Sequence, residues 1–505
     1  MTIAERFERH WSKAWGWVLV CAGVLGALAV FTVRPTFPNY DTYYTLVWGQ
    51  ELFSGRLPDY HAFRPPTPHP LSTFVGWLVA PFGTDSDRLV VLASLLLFVG
   101  LLVIVFRFTQ RLLGSLVALV AVLAVLTRTD VEFLALRGMA DLPFYVLVFG
   151  AAAYELRRPR AGWPVLVLLA LAGLLRPEAW LLAGVYWLYL VPVTPRPQLI
   201  RLALLVVAAP IIWLAADTIV EHAPLYSLTE TRDVAGQFGR NRTVFEAIKL
   251  IPDHLGATDK VINFGVGGLG FLLALALLRE RALIPLALGA LGLITFLLIV
   301  AAGLSAIPRY LTIPSLLLTM CVAVALTGWT VARERWLRIA AIVVAMVSVA
   351  AIVVAVVSVA AIVKQLPQLN KDRATIMRQA TFVSEQHRDL FAVLDDPRVV
   401  PLYQDRSCWP ITTPTHSAIP VVRYETGLPK RALQASIQQR NPPKYGLLLI
   451  GKTFQFEPGS GRRSLGTKSS ASAKWWSNVK LGSFHPVAKK GRWSVWARCR
   501  PTSRP

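Results

Sequence analysis

Apolar residues along this chain fall in long blocks, with neither the alternation of a strand nor the one-face spacing of a surface helix. Leu89–Phe106 and Ile339–Val363 are two such blocks. Stretches of that length are candidates for membrane-spanning helices. The blocks and their polar breaks predict about eleven spans. They cover residues 14–33, 88–106, 112–128, 141–156, 162–175, 179–193, 200–218, 261–278, 282–303, 311–330 and 339–363. The first, Ala14–Val33, is too long for a secretory h-region and no small-x-small cleavage site follows it, so it reads as a retained helix. Leu71–Phe82 is too short to span and predicts a juxtamembrane helix with Trp77 at the interface. In the last block Ala340–Val349 recurs as Ala350–Val359, which reads as a slipped duplication in a lipid-facing helix.

The loops between the blocks alternate in character. One set is short and basic: Arg107 and Arg111; Arg157, Arg158 and Arg160; Arg196 and Arg201; Arg279 and Arg281; Arg333, Arg335 and Arg338; and the N-terminal Arg6, Arg9 and Lys13. The other set is longer and mixed: 34–87, 129–140, 176–178, 219–260 and 304–310. The excess of Lys and Arg marks the cytoplasmic side. A multi-pass protein of the plasma membrane is therefore expected, with its N-terminus cytoplasmic and its C-terminal segment extracytoplasmic. Composition agrees: of 505 residues 54% are hydrophobic and 16% charged, against about 25% charged in soluble domains. The net charge of +23 does not call for nucleic acid, because it sits largely in orienting loops and in the C-terminal segment.

Two modules follow, a transmembrane module over 1–364 and a small extracytoplasmic α/β domain over 365–505. In the latter, Lys371–Leu394 reads as an amphipathic helix, and Tyr445–Ile450 and Trp493–Arg498 read as strands. Residues 457–475, rich in Gly, Ser and Lys, read as a mobile loop. Cys21 and Cys321 lie in apolar blocks; Cys408 and Cys499 lie in the C-terminal segment and are candidates for a disulfide on an oxidising side.

Candidate chemistry concentrates in the mixed loops. Asp41 follows the first helix within a few residues, beside Tyr40, Tyr43 and Tyr44. A partly buried carboxylate there suits general-base work and the aromatic rings suit sugar stacking; the same Asp41 also fits as the N-cap of a helix over 42–54. Further along the loop stands His69-Pro70-Leu71. The second mixed loop carries Asp130, Glu132, Arg137 and Asp141. Its acids are candidates for a divalent metal, or, without metal, Arg137 pairs with Asp141 at i,i+4 spacing. No other cofactor is called for. Arg176-Pro177-Glu178 and Pro308-Arg309-Tyr310 place arginines at outer helix ends, where each suits a phosphate group or simply anchors a headgroup. The 219–260 loop, with Arg232, Asp233, Arg240 and Arg242, reads as a cover for a bound substrate.

These elements, in this order and on this side, resemble the GT-C superfamily of membrane glycosyltransferases, in the branch of the protein O-mannosyltransferases and aminoarabinose transferases. The likeness rests on an acid after the first helix (Asp41), His69-Pro70-Leu71 in the same loop, Arg137-x-x-x-Asp141, and Arg309-Tyr310-Leu311 opening a late helix. It covers roughly the first 330 residues. Relatives often carry two adjacent acids where this chain has Asp41-Thr42. The resemblance implies an inverting transfer from a polyprenyl-phosphate sugar to a hydroxyl of a glycan, lipid or protein acceptor, in cell-envelope glycan or glycoprotein synthesis. Asp41 would be the base; Tyr40, Tyr44, His69, Arg137, Asp141, Arg176, Glu178, Arg309 and Tyr310 would bind donor or acceptor. A lipid-linked-sugar transporter and a non-catalytic envelope assembly protein are the competing classes.

Overall fold

The computed structural model describes residues 13–61, 63–256, 261–361, 366–436, 443–451 and 483–501. All eleven apolar blocks fold as helices. In chain order the helices are α1 (Lys13–Val33), α2 (Tyr40–Phe53), α3 (Pro70–Val79), α4 (Ser86–Leu113), α5 (Ser115–Leu126), α6 (Thr129–Leu136) and α7 (Asp141–Arg157). They continue as α8 (Trp163–Leu175), α9 (Glu178–Leu190), α10 (Arg196–Glu221), α11 (Tyr226–Gln237), α12 (Val244–Gly256), α13 (Gly267–Leu278) and α14 (Leu283–Ala301). The last five are α15 (Thr312–Thr327), α16 (Arg335–Ala361), α17 (Leu366–Leu394), α18 (Val400–Gln404) and α19 (Ile419–Thr426).

The span count differs from expectation. Among the described residues six helical stretches are long and apolar enough to cross a membrane, or seven if α6 and α7, bent by 117° at their junction, count as one. Several blocks are bounded closely by their breakers. Gly114, at φ 87°, separates α4 from α5, and Arg176-Pro177 separates α8 from α9. The 12-residue α5 and 13-residue α8 fall below the roughly 17 residues that a span requires. The juxtamembrane segment folds as the ten-residue α3, and its chain continues into α4 through a 3-10 turn kinked at Gly83.

The chain forms two compact units. Unit 1 contains the described residues of Met1–Val33, His69–Leu71 and Leu92–Ile376; unit 2 contains those of Arg34–Pro68, Ser72–Val91 and Met377–Pro505. This division departs from the expected boundary at 364, because most of the first outer loop folds with the C-terminal segment.

Unit 1 is helical. Its tightest crossing joins α13 to α15, where a side chain on Gly270 would collide with the Cys321 carbonyl; a small residue lets the two backbones touch. The 219–260 segment, expected as a polar loop, is mostly the two helices α11 and α12. Helix α12 is amphipathic and lays Ala247, Ile251 and Leu255 against Phe296, Val300 and Leu311, while Phe245 and Ile248 point outward.

Unit 2 is built on a five-stranded sheet, in the order β2 (Leu433–Ala435), β1 (Ile411–Thr413), β3 (Gly446–Gly451), β5 (Trp493–Arg498), β4 (His485–Lys490). Strand β1 is parallel to β2 and β3, and β5 is antiparallel to β3 and β4. Strand β5 buries Trp493, Val495 and Ala497 at alternate positions, as a half-buried strand must. Those side chains share a core with Leu390 and Val393 of α17, Val421 and Val422 of α19, and Tyr43, Leu46 and Val47 of α2. Two ion pairs add to this core, Arg423 of α19 to Glu51 of α2 at 2.7 Å and Lys430 to Asp59 in the loop after α2 at 3.0 Å. Helices α2 and α3 touch at Gly49 and Gly76, where a Cβ on either would enter the other's backbone. The expected Cys408–Cys499 disulfide is formed. The expected mobile loop at 457–475 lies outside the described residues.

One carboxyl in unit 2 is displaced in its titration. Burial first, then Asp395 and Asp87, push Glu425 up from 4.5 to about 7. A carboxyl whose folded pKa is raised stabilises the fold below its unfolded pKa, and that stability is lost as pH rises through the folded value. Unit 2 of the wild type should therefore weaken between pH 4.5 and 7, and Glu425→Gln should remove that slope. Hydrogen exchange of the β5 amides in the full-length protein, corrected for intrinsic rates, reads the effect. Equal pH dependence in the two proteins would contradict it.

Candidate active site

In unit 1 the structure gathers charged side chains from three separate stretches of sequence. Arg176 ends α8, Asp141 and Glu178 open α7 and α9, and Arg309 stands on the 3-10 turn Pro308–Leu311. Arg176 is buried and doubly paired. Its Nη1 donates to Asp141, and its Nε and Nη2 donate to Glu178 Oε1 at 2.9 and 2.6 Å. Its guanidinium lies over the rings of Tyr310, at 4.6 Å, and Phe144, at 5.3 Å. Two carboxylates and two rings thus fix this cation in place. Removing it would strand two enclosed carboxylates, a loss of about 3–5 kcal/mol. Arg176→Ala should therefore lower the thermal midpoint and folded yield of the detergent-solubilised protein; a wild-type midpoint would refute that structural role.

Arg309 is held differently. Its Nη1 lies 3.8 Å from Asp141 Oδ2, beyond hydrogen-bond distance, and its side chain is 37% exposed against 7% for Asp141 and Arg176. The Tyr145 hydroxyl donates to the Arg309 carbonyl at 3.0 Å and so secures the turn from below. Together Arg176, Glu178, Arg309, Tyr310, Phe144 and Tyr145 line a small recess whose remaining wall includes Leu182, Leu288 and Ile313. His69 belongs to the same group and stands edge-on to Trp213 at 5.7 Å. Burial, and next the Arg176 cation, push it down to about 3, which keeps the imidazole neutral. Two acids, two guanidinium groups and a neutral histidine leave the cluster with no net charge.

In unit 2, Asp41 lies in the first turn of α2. The cap of that helix is Asn39, not Asp41: Asn39 Oδ1 accepts from the Thr42 amide at 3.0 Å and from the Thr42 hydroxyl at 2.7 Å. Asn39 Nδ2 donates to Asp41 Oδ2 at 3.1 Å. Tyr40 meets His416 edge-on at 5.6 Å. Tyr44 corrects the sequence reading. It is fully buried and packed on Trp48 at 5.3 Å, so its ring has no face to offer a sugar.

The second outer loop also differs from expectation. Arg128 holds Asp130 with both ends of its guanidinium, Nε to Oδ1 at 2.8 Å and Nη2 to Oδ2 at 2.6 Å. Its Nη1 donates to Ser315 and Thr319 at 3.0 and 2.9 Å. With both oxygens of Asp130 engaged, the metal reading of Asp130 and Glu132 loses its footing. Among the described residues no group of three or more His, Cys, Asp or Glu side chains is arranged to hold a metal ion. Asp141 takes cations from Arg176 and Arg309, and the Arg137 guanidinium lies over Phe133 at 4.8 Å.

Sequence reasoning missed Arg128, Phe144, Tyr145, Trp213 and Asn39. Two were within reach. Tyr145 stands four residues after Asp141, on the same helix face, and Asn39 stands directly before the helix, where caps are found. Trp213 lies in an apolar block and gave no mark of its role.

No family model matches the chain, and no curated protein matches it at the threshold applied. Among solved structures it is similar to ArnT from Cupriavidus metallidurans in the apo state, at 16% identity and a TM-score of 0.48, over 98% of this chain and 100% of that one.

Proposed function

We propose that this protein is an inverting glycosyltransferase that moves a sugar from a polyprenyl-phosphate donor to an acceptor hydroxyl on the outer face of the membrane. The observation that carries the reading is the contrast between the two arginines in the neutral cluster. Arg176 is neutralised by Asp141 and Glu178 and serves as a fixed strut. Arg309 lines the same recess and is partly exposed, with its Nη1 3.8 Å from Asp141 Oδ2. A sugar–phosphate–lipid diester brings one negative charge, which the partly exposed guanidinium of Arg309 matches. The apolar wall beside it suits the first units of a lipid chain.

In the proposed reaction Asp41 takes the proton of the acceptor hydroxyl. The oxygen attacks the anomeric carbon, the bond from that carbon to the phosphate oxygen breaks, and the phosphate leaves with the electron pair. The departing group gains a negative charge as the bond breaks, and a cation already in place stabilises it most where water is excluded. The Asn39 cap supports the role of Asp41, since helix capping does not occupy that carboxylate. The alternation of basic and mixed loops supports the outer face.

The test is turnover. The purified full-length protein in lipid nanodiscs, given a panel of labelled decaprenyl-phosphate hexoses and pentoses together with glycan, lipid and peptide hydroxyl acceptors, should release decaprenyl phosphate from at least one donor and move its sugar to an acceptor. Transport of such a lipid across vesicles without release would favour the transporter class instead.

A further inference from the structure

Asn39 is buried, and each end of its amide has a separate partner. The oxygen caps α2 through the Thr42 amide and hydroxyl. The nitrogen donates to Asp41 Oδ2 at 3.1 Å. Capping needs only an acceptor, and Asn, Asp and Ser supply it about equally well. The donor half of the amide is therefore surplus to the cap, and it is the half directed at the carboxylate.

We propose that Asn39 is a positioning residue for Asp41: its Nδ2 holds one carboxylate oxygen, fixing the rotamer and favouring the ionised form. The proposal rests on Asp41 being the base. Helix α2 is itself anchored by Tyr43, Leu46 and Val47 in the unit 2 core and by the Glu51–Arg423 pair, so Asn39 adjusts a carboxylate on a rigid support. The other titratable groups at this helix end are Tyr40 and Tyr44 on α2, His416 from the 3-10 turn His416–Ala418, which packs on Tyr40, and Arg64 from the following loop, which is coupled to Tyr40. A hydrogen bond to the charged form lowers a carboxyl pKa, so losing this donor should raise it.

Two substitutions separate the halves of the amide. Asn39→Ser keeps a capping acceptor and loses the donor. Asn39→Asp keeps the acceptor and sets a second carboxylate beside Asp41. The Asp41 carboxyl is read by infrared titration of the full-length protein in nanodiscs, as the difference between each protein and the same protein carrying Asp41→Asn. Turnover is read as release of decaprenyl phosphate from labelled decaprenyl-phosphate hexoses and pentoses. Asn39→Ser should raise the carboxyl midpoint by about one unit and lower kcat about tenfold with donor KM unchanged. Asn39→Asp should move the upper midpoint, and the acid limb of the pH–rate profile, further in the same direction. The thermal midpoint should stay near wild type in Asn39→Ser and fall in Asn39→Asp, which buries a second carboxylate beside Asp41. If Asn39 is only a cap, Asn39→Ser leaves midpoint and kcat at wild-type values, and the proposal falls while the base assignment stands. Full turnover by Asp41→Asn overturns the base assignment itself.

Discussion

Asp41→Asn should abolish transfer while leaving the protein folded. The amide is nearly isosteric with the carboxylate but cannot take the acceptor proton. General-base catalysis contributes about 10²–10⁴-fold, so kcat should fall by about three orders of magnitude. Folding should survive for specific reasons. The α2 cap is Asn39 acting through Thr42, and the helix is held by its own buried face, Tyr43, Leu46 and Val47, in the unit 2 core. Donor affinity should hold as well, because the cluster of Arg176 and Arg309 is untouched. Single-turnover release of decaprenyl phosphate, alongside thermal melting, checks both halves of this expectation. A variant that melts like wild type and turns over like wild type would remove Asp41 from the mechanism.

Arg309→Ala should weaken polyprenyl-phosphate binding strongly and leave the fold standing. Hydrogen bonds to a charged group contribute about 1.5–3 kcal/mol, which corresponds to a loss in affinity of about 10–150-fold. The fold should tolerate the change because Asp141 keeps its partner in Arg176 and because the turn Pro308–Leu311 is secured through the Arg309 carbonyl by Tyr145, which alanine retains. Arg309→Lys should recover part of the affinity, since it restores charge without the planar fork. Equilibrium binding of labelled decaprenyl phosphate measures the loss; unchanged affinity in the alanine variant would assign the phosphate to another cation.

Much of this architecture was legible because its physics is local. An apolar block of about twenty residues has few alternatives to a helix, and every such block became one. What the blocks concealed was length. Gly114 breaks the block at 112–128, the blocks 162–175 and 179–193 are short from the outset, and among the described residues six or seven stretches pass as spans. The Cys408–Cys499 bridge was readable from isolation and composition. The affiliation of the first outer loop was not. Nothing near Glu51 announces Arg423, 372 residues later, and Tyr43 finds His387 across 344; pairings of that separation leave no periodicity in either segment.

The candidate site divides along the same line. Arg176-Pro177-Glu178 spells its own local ion pair, and the structure contains it. That Asp141 would close on the same guanidinium from 35 residues earlier follows from how α7 and α8 pack, not from spacing. The metal reading of Asp130 meets the converse situation. Acids in a loop were counted as ligands, whereas the arginine two residues before Asp130 holds both its oxygens. Tyr44 failed because an aromatic residue in a polar loop was read as exposed, and it is core. In each case the residue type was informative and its neighbour across the fold decided its use.

The central claim is that the neutral cluster of unit 1 receives the phosphate of a lipid-linked sugar through Arg309. A cryo-electron-microscopy structure of the nanodisc-embedded protein with bound decaprenyl phosphate tests it most directly. The expected result is phosphate oxygens about 2.7–2.9 Å from the Arg309 guanidinium nitrogens, with Arg176 still clamped between Asp141 and Glu178 and the first isoprenoid units against Leu182, Leu288 and Ile313. A phosphate bound elsewhere, with Arg309 still turned to Asp141 and the recess empty, would contradict it.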